Sequence, residues 1–180
     1  MKRVFMILFC ITILNGCSSQ KTFQQFFNTH KNEIGVTAFQ VPNFMRTILS
    51  SISPEINGFF GNVKDFKFIT FNDLSDFKRQ TLVNEINLVT DNGFSDILRV
   101  NSLEKTKIVS VVEDGDIVRK AIIFNANVTK ASAFYLKGNF DPNKLKVLSE
   151  TNQFEDLSSK LLQHYQTPLS SPTIEPIKIN

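Results

Sequence analysis

The chain has 180 residues, 42% of them hydrophobic, with 7 Gly, 6 Pro, 2 Cys and no Trp; collagen-like and disulfide-rich classes are excluded, and one folded domain is expected. Its 18 Phe, with many Ile, Leu and Val, supply the apolar surface that offsets the entropy of ordering. The formal charge of +3 includes Lys2 and Arg3, and without residues 1–16 the balance is 18 basic to 17 acidic side chains, so the dense positive field of a nucleic-acid binder is missing.

The chain opens on those two cations and the apolar run Val4–Leu14. Eleven residues fall far short of the ~20 that span a bilayer as a helix. A basic start, a short apolar stretch and small residues after it read as an export signal over residues 1–16. Leu14-Asn15-Gly16-Cys17 closes the run and resembles the bacterial lipobox. The resemblance implies that Leu14, Asn15 and Gly16 are the signal-peptidase recognition residues and that Cys17 is the lipid attachment site. A thiol is the one side chain nucleophilic enough to form the thioether anchor. Each buried methylene contributes ~0.8 kcal/mol, and two or more acyl chains hold a protein stably where one does not. Cys10 leaves with the signal and Cys17 takes the lipid, so the exported domain has neither thiol nor disulfide. Ser18 stands where Asp would favour inner-membrane retention, and no acidic cluster follows, so the expected address is the outer membrane facing the periplasm. Residues 17–22 form the tether, and the membrane is the first expected partner.

A single domain is expected over residues 23–165. Phe23, Phe26 and Phe27 follow helical spacing, and Ile34 to Val41 reads as a strand. Pro42 suits the first turn of a helix carrying Phe44, Met45, Ile48, Leu49 and Ile52, and Pro54, Gly58 and Gly61 mark a loop. In that loop Phe59 and Phe60, flanked by glycines, are a candidate contact surface. Asp65 to Phe71 is a second strand, and the helix after it points Leu74, Phe77, Leu82 and Ile86 inward. Asp91-Asn92-Gly93 stops that helix, and Ser95 caps a short one holding Ile97 and Leu98. Two β-branched runs, Lys107 to Val112 and Ile117 to Phe124, join through the hairpin signal Asp114-Gly115. Ala131 to Gly138 adds a third strand to that meander. Asp141-Pro142 opens a helix with Leu145, Val147 and Leu148, and a last helical stretch carries Phe154, Leu157, Leu161 and Leu162. Pro168, Pro172 and Pro176 make residues 166–180 a flexible tail. The expectation is an α+β fold: a five-stranded mixed sheet, βαβ followed by an antiparallel meander, with helices mainly on one face.

From about Phe23 to Leu148 the chain resembles the Bacteroidetes lipoproteins grouped as domain-of-unknown-function family 4252. The likeness rests on the lipoprotein start, the strand and amphipathic helix at Val36–Leu49, and the segment Phe94-Ser95-Asp96-Ile97-Leu98-Arg99-Val100. It also rests on the hairpin strands and the closing Gly138-Asn139-Phe140-Asp141 with Leu145. The resemblance implies a fold and an address, and no activity.

Motifs for chemistry are sparse. His30 and His164 have no Cys, Asp or Glu at metal-ligand spacing and read as surface or boundary residues. Glu113-Asp114-Gly115-Asp116 lacks the alternation of a calcium loop and suits a hairpin turn. No Gly-rich phosphate loop and no Gly-x-Ser-x-Gly elbow is present. No catalytic, cofactor-binding or metal residues are expected. The expected function is a lipid-anchored envelope protein with a non-catalytic protein-binding or structural domain; the alternative is a periplasmic carrier of a small apolar ligand.

Overall fold

The computed structural model describes residues 20–41 and 63–151, with positions 153, 156, 159, 160 and 163 beyond them. Six strands form one open sheet in the order β1-β2-β6-β5-β4-β3, and every neighbouring pair is antiparallel. The strands are β1 (Val36–Val41), β2 (Val63–Phe71), β3 (Ser95–Asn101), β4 (Thr106–Asp114), β5 (Ile117–Ala126) and β6 (Ala131–Phe140). Within the two continuous described stretches three helices accompany them: α1 (Phe23–His30), α2 (Asp76–Thr90) and α3 (Pro142–Glu150).

Local signals account for the helix starts. Thr22 and Gln25 form a reciprocal capping box at α1, so two of the orphan first-turn donors are satisfied. Ser75 caps α2 by accepting from the Lys78 amide. Asp141 caps α3 by accepting from the Asn143 amide, with Pro142 in the first turn, as the sequence leads one to expect.

The sheet is buried on both faces. On one, α1 lays down Phe23, Phe26 and Phe27, and α2 adds Leu82, Ile86 and Val89, over Ile69, Phe71, Ile108, Ile122 and Phe124. On the other, Phe66, Phe68, Val109, Val111, Ile123, Phe134 and Leu136 form a second core, against which α3 places Leu145. Strands buried on both faces lose the simple alternation of a half-wet sheet. Each large side chain buried this way contributes ~1.5–3 kcal/mol.

Four expectations are corrected. The pairing of β1 with β2 is antiparallel, not the parallel pair of a βαβ unit: Val36 stands opposite Phe71 and Phe39 opposite Phe68. A long connection, residues 42–62, allows either return direction, and this one brings the Phe39 and Phe68 rings within 5.0 Å, tilted 51° from each other. The expected Pro42 helix and its loop lie outside the described residues, as do the expected helix positions Phe154, Leu157, Leu161 and Leu162.

Second, Ser95–Asn101 is a sixth strand and not a capped helix, because a bulge between Asp96 and Leu98 turns Ile97 and Leu98 toward the same core. That apolar doublet imitates helical spacing. Third, Phe77 is 82% exposed, since the inward face of α2 is fixed by Leu82, Ile86 and Val89. At ~100° per residue Phe77 lies about 140° from Leu82. Fourth, the β4–β5 loop is Gly115-Asp116, one residue later than expected. Asp114 pairs with Ile117, and Gly115 takes the positive φ of 62° that a type II′ turn needs in its first loop position.

Candidate functional site

Two clusters of charged side chains flank α1, and they are built differently. The first joins α1 to α2. His30 is 3% exposed, against its sequence reading as a surface or boundary residue, because it continues the Phe23, Phe26, Phe27 face of α1. Its ring packs on Phe26 at 4.9 Å and Phe71 at 5.6 Å. His30 Nδ1 lies 2.8 Å from Glu33 Oε1, and Nε2 lies 2.5 Å from Glu85 Oε2. Both acceptors are carboxylates, so satisfying both nitrogens takes two N–H donors and therefore the imidazolium form. Lys21 reaches Glu85 at 2.6 Å and Lys78 reaches Glu33 at 2.8 Å. Burial alone would raise the Glu85 carboxyl, but hydrogen bonds from Lys21 and His30 and their charges hold it below its ordinary value. Glu33 is lowered in the same way, against burial, by Lys78 and His30. Every charge here has a partner. Among the described residues no group of three or more His, Cys, Asp or Glu is placed to hold a metal ion.

The second cluster lies on the same sheet face, beyond the N-terminus of α1, where no described helix covers the strands. A cleft of about 330 Å³ opens there between the first turn of α1 and the Lys67, Tyr135, Lys120 and Lys137 side chains. Strand parity builds it: Lys67 stands opposite Tyr135, and Lys137 has Asp65 on one side and Lys120 on the other. All five residues therefore project from one face. Phe23 of α1 stacks on Tyr135 at 5.3 Å with the rings 20° from parallel, which fixes the phenol. The Lys67 ammonium sits 5.1 Å from the centre of the Tyr135 ring and is paired with Asp65, which also accepts from Gln40 at 3.1 Å. Burial first, and the Asp65 charge second, push the Tyr135 hydroxyl above its ordinary value, so it stays protonated and able to donate.

Lys120 and Lys137 are the exception in this cleft. They are direct cross-strand neighbours of like charge, an arrangement that destabilises a sheet. Neither has an ion-pair partner among the described residues. The lining holds four lysines, Lys21, Lys67, Lys120 and Lys137, against Asp65 as its one acid, a balance of +3.

A second cavity, about 350 Å³, opens at the end of the other face beside Thr70, Asn125 and Ser132. Asn125 is 8% exposed there, and neither polar atom of its amide has a hydrogen-bond partner among the described residues.

The residues singled out from the sequence are not among these. Leu14, Asn15, Gly16, Cys17, Phe59, Phe60 and His164 all lie outside the described residues. The lysine pair escaped sequence reading because no motif joins positions 17 apart. The available signal was strand parity, which becomes informative once the β5–β6 register is known.

The family model described as DUF4252, a domain of unknown function, matches residues 28–148. The chain belongs to the DUF4252 family. The DUF4252 match begins inside α1 and ends inside α3, so it takes in all six strands. Lys67, Lys120, Tyr135 and Lys137 therefore lie within the DUF4252 domain, whereas the cleft rim at Lys21–Gln24 precedes it. No curated protein and no solved structure matches the chain.

Proposed function

We propose that this protein is a lipid-anchored component of a bacterial cell envelope, attached through acyl chains on Cys17, whose domain works by binding and not by catalysis. The observation that carries the reading is the ordered start of the chain: two cations, an 11-residue apolar run, Leu14-Asn15-Gly16-Cys17, then polar Ser18-Ser19-Gln20 ahead of the Thr22 cap. Lipidation at Cys17 puts the domain at the membrane surface, and Ser18 favours the outer membrane facing the periplasm. The cleft beside Tyr135 is lined mostly by lysines and other polar side chains, which supports a binding surface over a carrier of apolar ligands.

Fractionation of cells carrying Cys17→Ser tests the anchor. The variant is expected to leave the membrane fraction or to accumulate as the unprocessed precursor. Normal processing with unchanged membrane attachment would refute lipidation at Cys17.

A further inference from the structure

We infer that the cleft around Tyr135 is a phosphate-binding site for the headgroup of an anionic phospholipid, with Lys120 and Lys137 as its principal cations. The inference deepens the anchored-protein reading and rests on it for the identity of the membrane. The lysine pair is the starting point. Two like charges opposite each other on neighbouring strands weaken the sheet, and the one acid of the cleft, Asp65 beside Lys137, is already paired with Lys67. A site that breaks a local rule with no internal compensation marks a place reserved for something else.

The surrounding groups specify an anion with acceptor oxygens. Lys67 is neutralised by Asp65, so it contributes shape and field more than a free cation. The Tyr135 hydroxyl remains protonated and makes no hydrogen bond within the described residues, which leaves it free to donate. At the rim, the first-turn amides of Phe23 and Gln24 have no intrahelical acceptor, and the N-terminus of α1 adds partial positive charge. Two ammonium groups, one phenol and a helix N-terminus suit a phosphoryl group better than a lone carboxylate.

The chain itself points to the membrane as the source. Lys21 lies on the cleft rim and is four residues from Cys17. Fully extended, that tether reaches about 14 Å at ~3.3–3.6 Å per residue. An anchored domain thus holds the cleft mouth close to the headgroup layer, where tethering raises the local concentration of lipid phosphate far above that of any free anion. At about 330 Å³ the cleft has room for a headgroup and not for acyl chains, which remain in the bilayer.

Amine-acylation kinetics read by mass spectrometry test this on the full chain purified from membranes and reconstituted into vesicles. Labelling of Lys120 and Lys137 is expected to slow about fivefold in phosphatidylcholine vesicles containing phosphatidylglycerol, relative to phosphatidylcholine alone, the scale of one lysine near an anionic surface. Lys105 and Lys130, beside the other cavity, are expected to label at the same rate in both. Equal slowing of all four lysines would overturn the site in favour of general apposition to the membrane. Slowing by inorganic phosphate in neutral vesicles, with nothing added by phosphatidylglycerol, would overturn the lipid as the source. No slowing under either condition would overturn the anion site itself. The mass of the peptide containing Cys17, read in the same experiment, reports the anchor separately, so either reading can fail alone.

Discussion

Two charged regions share one face of the sheet, with Lys21 at the edge of both, and they treat charge in opposite ways. Between α1 and α2, His30, Glu33, Glu85, Lys21 and Lys78 satisfy one another within 2.5–3.1 Å. Beyond the start of α1, Lys120 and Lys137 face each other with no acid between them. The paired region explains itself as structure: it joins two helices and lets an imidazole lie among Phe rings. The unpaired region has no such explanation, because nothing in the fold gains from it. Complete pairing marks charge that serves the fold, and uncompensated pairing marks charge held for a ligand.

Breaking the paired region is expected to give the largest effect. His30→Ala removes a ring packed on Phe26 and Phe71 and takes the common partner from two carboxylates. Opening a cavity beside the Phe rings, with each carboxylate left to a single lysine, costs about 2–4 kcal/mol. Chemical denaturation of the variant measures it; a loss below about 0.5 kcal/mol, the ordinary range of surface substitutions, would show that the cluster is ornamental.

Acid provides the next test. Glu33 and Glu85 titrate below their ordinary value of 4.5 in the folded chain, so between that value and the lowered ones the unfolded chain binds more protons. Their contribution is full above pH 4.5 and is lost as pH falls through the folded-state values. Asp96 behaves likewise: burial opposes ionisation, but Arg99 and Ser110 hydrogen bonds lower it, on a different part of the sheet. Melting temperature is therefore expected to drop on acidification in the wild type, and less steeply in His30→Ala, which retains the Asp96 part and the lowering of Glu33 and Glu85 by Lys78 and Lys21. Parallel curves for the two proteins would show that His30 does not stabilise the carboxylates.

How much of this was legible follows the range of the signals. The α1 face, the Asp141 cap and, to within one residue, the β4–β5 hairpin are local, and their residues are visible within a window of a few positions. The Ile97-Leu98 doublet is local too but ambiguous, because a bulge and a helix both bring neighbouring apolar residues to one side. The direction of β2 relative to β1 depends on how a 21-residue connection returns, which periodicity does not encode. His30 reads as a surface or boundary residue because no metal-ligand spacing surrounds it, yet it lies buried between Glu33, three residues on, and Glu85, 55 residues away. The lysine pair is equally nonlocal: Lys120 and Lys137 become a site through the β5–β6 register, and each alone is an ordinary lysine on a strand.

That difference yields the smallest and most specific expectation. Lys137→Ala removes one member of the like-charged pair from an exposed position and leaves Lys67 with Asp65. Relief of cross-strand repulsion is expected to raise stability by about 0.2–1 kcal/mol, the range of such pairs. Lys120→Ala is expected to do the same, and the double variant to gain less than the sum, since either substitution ends the repulsion. Added salt supplies an internal control. Screening weakens repulsion between exposed charges, so salt is expected to stabilise the wild type more than either variant. Denaturation at low and high salt measures all four proteins. A loss of stability on removing either lysine, or additive effects of the two, would show that the pair is reconciled within the fold, and the contrast with the His30 cluster would disappear.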